Sequence, residues 1–158
     1  LSQGKKCFRF LDNNRTVVNI EGKGLRSIFG TIPFRRGRKS FVNFKISNTS
    51  VEWSPVFLGF ASLSLLKKED LSSEIGTFFV DSLNGKIYQN GSVIQNYPRE
   101  GDEPGSVISI CVDYAARKIL VEEDEKEIGL YSMPKEYFEN DLYPVVLLGS
   151  TDLYVSFV

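Results

Sequence analysis

Histidine is absent from this 158-residue chain. With it go the Ser-His-Asp triad, Cys-His nucleophiles, His-ligated zinc and the imidazole proton shuttle at neutral pH. Cysteine is scarce: Cys7 and Cys111 both sit in apolar, strand-like surroundings and not in a spaced framework. That usage fits the reduced thiols of an intracellular, cytoplasmic protein, with a Cys7–Cys111 disulfide as the open alternative. No apolar run approaches the length of a bilayer span, so no membrane segment is expected. Charge of one sign is also lacking: 19 Lys and Arg stand against 20 Asp and Glu, a net charge of −1. That balance removes any global electrostatic argument for nucleic acid or an anionic membrane surface. No signal-peptide pattern is visible from Leu1, and the sequons at Asn14, Asn48 and Asn90 are triplets that arise often in Asn-rich turns.

Other chemistry is missing as well. Gly22-Lys23-Gly24 leads into no helix, so nothing cradles a phosphate. Asp12, Asp102 and Glu103 lack the spacing of a calcium loop. No cofactor and no metal are expected. Sustained apolar stripes at helical spacing are missing too: residues 67–75 offer at most two turns, and Pro134 is placed to open a short helix over the residues that follow it.

What the chain has in abundance is period-two alternation, as in Cys7-Phe8-Arg9-Phe10-Leu11, Thr16-Val17-Val18-Asn19-Ile20 and Phe41-Val42-Asn43-Phe44-Lys45-Ile46. Side chains on a strand point alternately to its two faces, so these are half-buried strands. Val56-Phe57-Leu58-Gly59-Phe60-Ala61 is apolar throughout, which reads as a strand covered on both faces, with Gly59 permitting a close backbone approach. Asn84-Gly85 and Asn90-Gly91 supply tight hairpin turns, and residues 99–105, with two glycines and a proline, read as a loop. Many short strands at even spacing with almost no helix predict an all-β fold, a two-layer antiparallel β-sandwich with at most one or two short helices.

Several segments come in an order that resembles the SPRY domain family. Lys39-Ser40-Phe41-Val42-Asn43-Phe44-Lys45-Ile46 is similar to an early family strand, Phe57-Leu58-Gly59-Phe60-Ala61 to the Val-Gly-Val-Ala strand, and Gly85-Lys86-Ile87-Tyr88-Gln89-Asn90-Gly91 to a family hairpin. The last third carries the closest match: Gly105 through Asp113, Glu127-Ile128-Gly129 and Leu142-Tyr143-Pro144. Ser106, Ser109 and Asp124-Glu125 depart from the family pattern, and Asp124-Glu125 is expected to form a type I or longer turn where the family has Asn-Gly. The resemblance implies a SPRY-like, concanavalin-type jelly roll over the single domain 1–158, with residues 38–158 as its core and 1–37 as loosely matched N-terminal strands. It further implies a non-catalytic module that recognises a peptide or protein surface through rim loops. A monomeric domain within a larger chain, serving recognition or scaffolding as in a ubiquitin ligase adaptor, is the expected setting.

The candidate rim loops are residues 25–38, 48–55, 62–74, 96–105 and 130–136. Arg35 and Arg36, with Arg38, present paired guanidinium donors that suit carboxylates of an acidic peptide. Trp53, Tyr97 and Tyr131 are amphipathic aromatics of the kind enriched at interface hot spots, or else lids on the core. Lys67, Lys68 and Arg99 complete the candidate partner-binding set, the two lysines lying in the longest connection. A carbohydrate-binding jelly-roll lectin is the alternative, and a jelly-roll glycosidase a distant third. The last rests on Glu122-x-Asp124-x-x-Glu127, a pattern that a solvated hairpin tip explains as well.

Overall fold

The computed structural model describes residues 8–11, 16–19, 25–48, 56–68, 70–98, 105–149 and 153–158. Trp53, Arg99 and Cys7 lie outside the described residues. The strands are β1 (Phe8–Leu11), β2 (Thr16–Asn19), β3 (Arg26–Phe29), β4 (Lys39–Asn48), β5 (Val56–Ser62), β6 (Thr77–Asp81), β7 (Lys86–Gln89), β8 (Ser92–Asn96), β9 (Val107–Asp113), β10 (Lys118–Glu123), β11 (Lys126–Ser132), β12 (Leu142–Leu148) and β13 (Leu153–Phe157). They form two antiparallel sheets, one ordered β1-β2-β13-β4-β9-β10-β11 and the other β3-β12-β5-β6-β7-β8. Two 3₁₀ turns, Leu63–Leu65 and Lys135–Phe138, are the helical elements among the described residues.

Alternation decides which side chains close the gap between the sheets. Phe44, Ile108, Ile110, Val112, Ile119 and Val121 from the seven-stranded sheet meet Leu58, Phe60, Phe78, Val80, Ile87 and Val146 from the other, all fully buried. The face opposite, on β5 and its neighbours, is apolar as well. Phe57, Ala61, Phe79, Val145 and Leu147 form a second cluster with Leu65 and Leu71 from the β5–β6 connection, which crosses the outer face of that sheet. A strand covered on both faces has no use for polar alternation, which is why β5 reads as a continuous apolar run. Gly59 is required there, because a Cβ on it would stand 1.9 Å from the carbonyl oxygen of Phe78.

Register places the connections at two rims. Lys39, Asp113, Lys118 and Ser132 stand side by side across β4, β9, β10 and β11, so residues 30–38, 114–117 and 133–141 gather at one rim. The hairpin tips at 82–85 and 124–125 belong to the other.

Local structure departs from expectation in three places. Residues 25–38 are not loop throughout, since β3 pairs with β12 from Phe29↔Val145 to Arg26↔Leu148; likewise β11 runs on to Ser132. Among the described residues of 67–75 there is no helix. Asp70 Oδ1 accepts from the Ser72 N–H (2.9 Å) and hydroxyl (2.7 Å), a local turn that competes with helical bonding, while Leu65 and Leu71 plug the outer cluster. Asp124-Glu125 forms a tight turn with both residues at positive φ, 49° and 66°, in place of the type I or longer turn. The Asp124 carboxylate accepts the Val107 N–H at 2.8 Å, and its own N–H donates to the Val107 carbonyl at 2.9 Å. Those two bonds to β9 offset the left-handed strain. Asn90-Gly91 adopts positive φ at both residues, 50° and 79°, as a two-residue hairpin turn demands.

Gly59→Ala is expected to lower unfolding stability by about 3 kcal/mol or more, since backbone is what its Cβ would strike. Gly37→Ala, at φ +80° with nothing within 4 Å of the new Cβ, should lose only about 1 kcal/mol. Urea midpoints compare the two; equal losses would contradict the close-approach account.

Candidate functional site

At the first rim a groove of about 410 Å³ opens between the β3–β4 connection and the start of β4, lined by Ile32, Pro33, Phe34, Arg35, Arg38, Lys39, Ser40, Phe41, Val42 and Pro144. Beside it β13 pairs with β4 from Leu153↔Asn48 to Phe157↔Phe44, with one further bond from the Val158 N–H to the Asn43 carbonyl (3.0 Å), and residues 39–42 pair with β9. The core would lie open there were it not for Phe34. Its N–H donates to the Leu142 carbonyl at 2.9 Å, and its ring meets Phe60 edge-on with centroids 5.6 Å apart. The Gly30 N–H donates to the Pro144 carbonyl at 2.7 Å and the Arg35 N–H to the Ser40 hydroxyl at 3.0 Å. The groove wall is thus tied to both sheets.

Two features of the lining stand out physically. Ile32 and Phe41 are 67% and 63% exposed, the first and third highest values among the exposed large apolar residues described, with Ile75 between them. Arg35 and Arg38 flank them, and neither side chain has an ion-pair partner among the described residues. Lys39 is held by Asp113 at 3.7 Å. The groove therefore offers exposed apolar surface beside guanidinium donors that are still available.

Arg36 is separated from Arg35 although adjacent in sequence. Its Nε lies 3.6 Å from Asp141 Oδ1 and its guanidinium 5.9 Å above the Tyr114 ring. Tyr114 in turn packs edge-on against Phe138, over which Arg117 sits at 5.3 Å. This corner fastens the 3₁₀ turn Lys135–Phe138 to the rim, and Arg36 is spent on it.

The remaining candidates are dispersed. Lys67 and Lys68 lie on the connection over the outer face of the six-stranded sheet; Lys68 Nζ contacts Glu74 Oε1 at 2.7 Å, and its carbonyl accepts the Ser27 hydroxyl at 2.9 Å. Tyr97 is buried in the main core at 8% exposure, its N–H donating to the Gly85 carbonyl at 2.8 Å. Tyr131 lies on β11 rather than in a loop. Its ring packs on Phe78 and over Gly129, where a Cβ would come within 2.2 Å of the phenol oxygen. Its hydroxyl donates to Gln95 Oε1 at 2.7 Å, and Gln95 Nε2 donates to the Ile128 carbonyl at 3.3 Å, joining the edge strands β8 and β11 of the two sheets. Both tyrosines thus serve the core. Glu122 and Glu127 face each other across the β10–β11 hairpin, at a tip where Asp124, Glu125 and Lys126 are exposed and Asp124 is committed to Val107. Among the described residues no three Cys, His, Asp or Glu side chains converge as a metal site, and no helix is long and apolar enough to cross a membrane.

Ile32 and Phe41 were not singled out from the sequence. An isoleucine within a Gly- and Arg-rich connection was a usable signal; Phe41, alternating with the buried Val42, was another.

A family model described as SPRY domain matches residues 43–157. Among solved structures, the SPRY domain of human HERC1 superimposes with a TM-score of 0.72 at 15% identity, covering 96% of this chain and 91% of that one. The TRIM65 PSpry domain gives 0.73 at 13%, with 98% and 87% covered. A further human SPRY domain gives 0.71 at 14%, with 95% of each covered. No curated protein sequence matches the chain.

Burial pushes the Tyr131 phenol up to about 12 and raises that of Tyr137, whose hydroxyl donates to the Thr77 carbonyl. The fold favours the neutral phenol, so this stability is complete below the unfolded value near pH 10 and is lost as pH rises through about 12. Urea midpoints should hold steady up to about pH 10 and then fall, less steeply in Tyr131→Phe. A decline that begins below about pH 9, or one unchanged in Tyr131→Phe, would count against the assignment.

Proposed function

The chain belongs to the SPRY domain family, and on that premise we propose that it is a non-catalytic protein-interaction module that seats an acidic, partly apolar segment of a partner in the Ile32–Phe41 groove. SPRY domains are protein-interaction modules. The observation that carries the present reading is the pairing of two exposed apolar side chains with two guanidinium groups that have no ion-pair partner among the described residues. Apolar contact removes area from water, and an arginine beside desolvated surface makes a stronger bond to a carboxylate than one in open solvent.

Within this reading the candidate residues take different roles. Arg35 contacts the partner and Arg38 joins it; Arg36 positions the rim through Asp141 and Tyr114. Lys67 and Lys68, beside a cleft of about 210 Å³ lined by Phe29, Gly30, Thr31, Leu63, Leu66 and Tyr143, border a second contact area, and Trp53 and Arg99 remain as candidate contacts. The groove needs little reordering on binding, because its wall is already hydrogen-bonded to β4 and β12, and that limits the entropic cost of association. The module serves recognition or scaffolding in a larger intracellular protein, such as a ubiquitin ligase adaptor.

The test uses a synthetic library of nine-residue peptides combining Val, Ile or Leu with Asp or Glu, read by fluorescence polarisation. Arg35→Glu with Arg38→Glu should weaken the tightest peptide by about tenfold or more, as expected for losing charge-assisted bonds, and Arg36→Glu by less than about threefold. Equal losses from Arg36→Glu, or no loss from the double variant, would remove the groove from the account.

A further inference from the structure

The outer face of the seven-stranded sheet carries a pattern that the groove does not use. Residues paired across adjacent strands share a face, and so do residues two apart on one strand. Register therefore puts Cys111, Leu120 and Leu130 in one row across β9, β10 and β11. The residues that alternate with them, Ile110, Val112, Ile119 and Val121, belong to the core, so this row faces outward. Leu130 is 56% exposed, Leu120 half-buried and Cys111 buried. Burial raises the Cys111 thiol pKa, and the charges of Lys39, Asp113 and Glu122 also act on it, as expected for groups on one face.

Two residues to either side of Leu120 on β10 stand Lys118, exposed, and Glu122, half-buried. Lys118 Nζ donates to the Ser132 hydroxyl at 3.0 Å, and neither charge has an ion-pair partner among the described residues. Four residues of strand hold them about 13 Å apart, too far to pair with each other. An apolar row with a cation on one side and an anion on the other complements itself when turned over. A two-fold axis lying along the row sets Leu120 against Leu120 of a second copy, and Lys118 of each copy against Glu122 of the other. On the flanking strands the same axis sets Leu130 against Leu130, Asp113 against Ser109 and Glu127 against Ser132, so no like charges meet. An axis along β10 would oppose Lys118 to Lys118 and Glu122 to Glu122, and like charges exclude it. Sheets packed face to face stand about 10 Å apart, a gap that a lysine and a glutamate reach across together.

We propose that this face is the contact of a symmetric dimer of two copies of this chain, centred on β10, with reciprocal Lys118 to Glu122 ion pairs around the apolar row. This goes beyond the groove reading and uses none of the residues lining the groove. The patch covers three strands and about five residues along each, roughly 15 Å by 15 Å, which is well below a standard interface. The dimer is therefore weak, and the monomer expected from the family resemblance is its dilute form.

Sedimentation equilibrium of the purified chain, from about 5 μM to about 1 mM, should give a dimer with a Kd of about 0.1 mM. Lys118→Glu and, separately, Glu122→Lys should each raise that Kd about tenfold or more, because each reverses two symmetry-related pairs. Leu130→Asp, at an exposed position, should weaken the dimer by a similar factor. The two charge variants mixed in equal amounts should pair with each other, and the double variant Lys118→Glu/Glu122→Lys should return to within about threefold of the parent Kd. Urea midpoints check that each variant is folded; if Glu122→Lys is not, Lys118→Glu and Leu130→Asp decide alone. A parent chain that stays monomeric at about 1 mM would overturn the proposal. So would a dimer indifferent to Lys118→Glu and Leu130→Asp, or two folded charge variants that do not associate when mixed.

Discussion

Phe60 is the contact on which the rest of this molecule depends. It lies in the middle of a strand buried on both faces, fully inaccessible, with Phe78 stacked on it at 5.4 Å, Tyr137 edge-on at 5.2 Å and Phe34 edge-on at 5.6 Å. Each neighbour comes from a different element: the adjacent strand β6, the 3₁₀ turn before β12, and the connection before β4. Aromatic pairs at these distances add about 0.5–1.5 kcal/mol each beyond burial. Phe60 thereby welds two rim connections to the centre of the core, and the wall of the groove is as fixed as a strand.

That rigidity sorts the basic run of residues 35–39. With Phe34 turned inward, Arg35 and Arg38 fall on the groove wall, Arg36 turns to Asp141 and Tyr114, and Lys39 meets Asp113. A string of cations that looks uniform in sequence becomes two structural ties and two available donors. The ties are partly exposed and individually weak, about 1 kcal/mol or less each. Their effect is to hold the connection in one geometry while the strong contacts lie beneath them.

Most of the architecture was legible in the residues. Alternation in Phe41-Val42-Asn43-Phe44 gave β4 its two faces, the unbroken apolar run at 56–61 announced two-sided burial, and Gly59 announced a close approach that Phe78 supplies. What could not be read locally depended on partners distant in sequence. The left-handed turn at Asp124-Glu125 is held because Val107 of β9 bonds Asp124 through both its N–H and its carbonyl. Tyr131 turns inward because Gly129 leaves room and Gln95, 36 residues away, takes its hydroxyl. In the candidate site, the Arg35–Arg38 run marked the connection that forms the groove wall, but which arginines face the groove depended on Phe34, Asp141 and Tyr114.

The central claim is that recognition happens at the rim between Ile32 and Val42, on surface already formed before a partner arrives. Two-dimensional amide spectra of the isotopically labelled chain, recorded with and without a saturating acidic peptide, map this directly. The account predicts shifts concentrated in residues 31–42 and in Leu142, Tyr143 and Val145 around the groove, with the rest of both sheets unmoved. Shifts confined to the opposite rim, at the 82–85 and 124–125 turns, would contradict it.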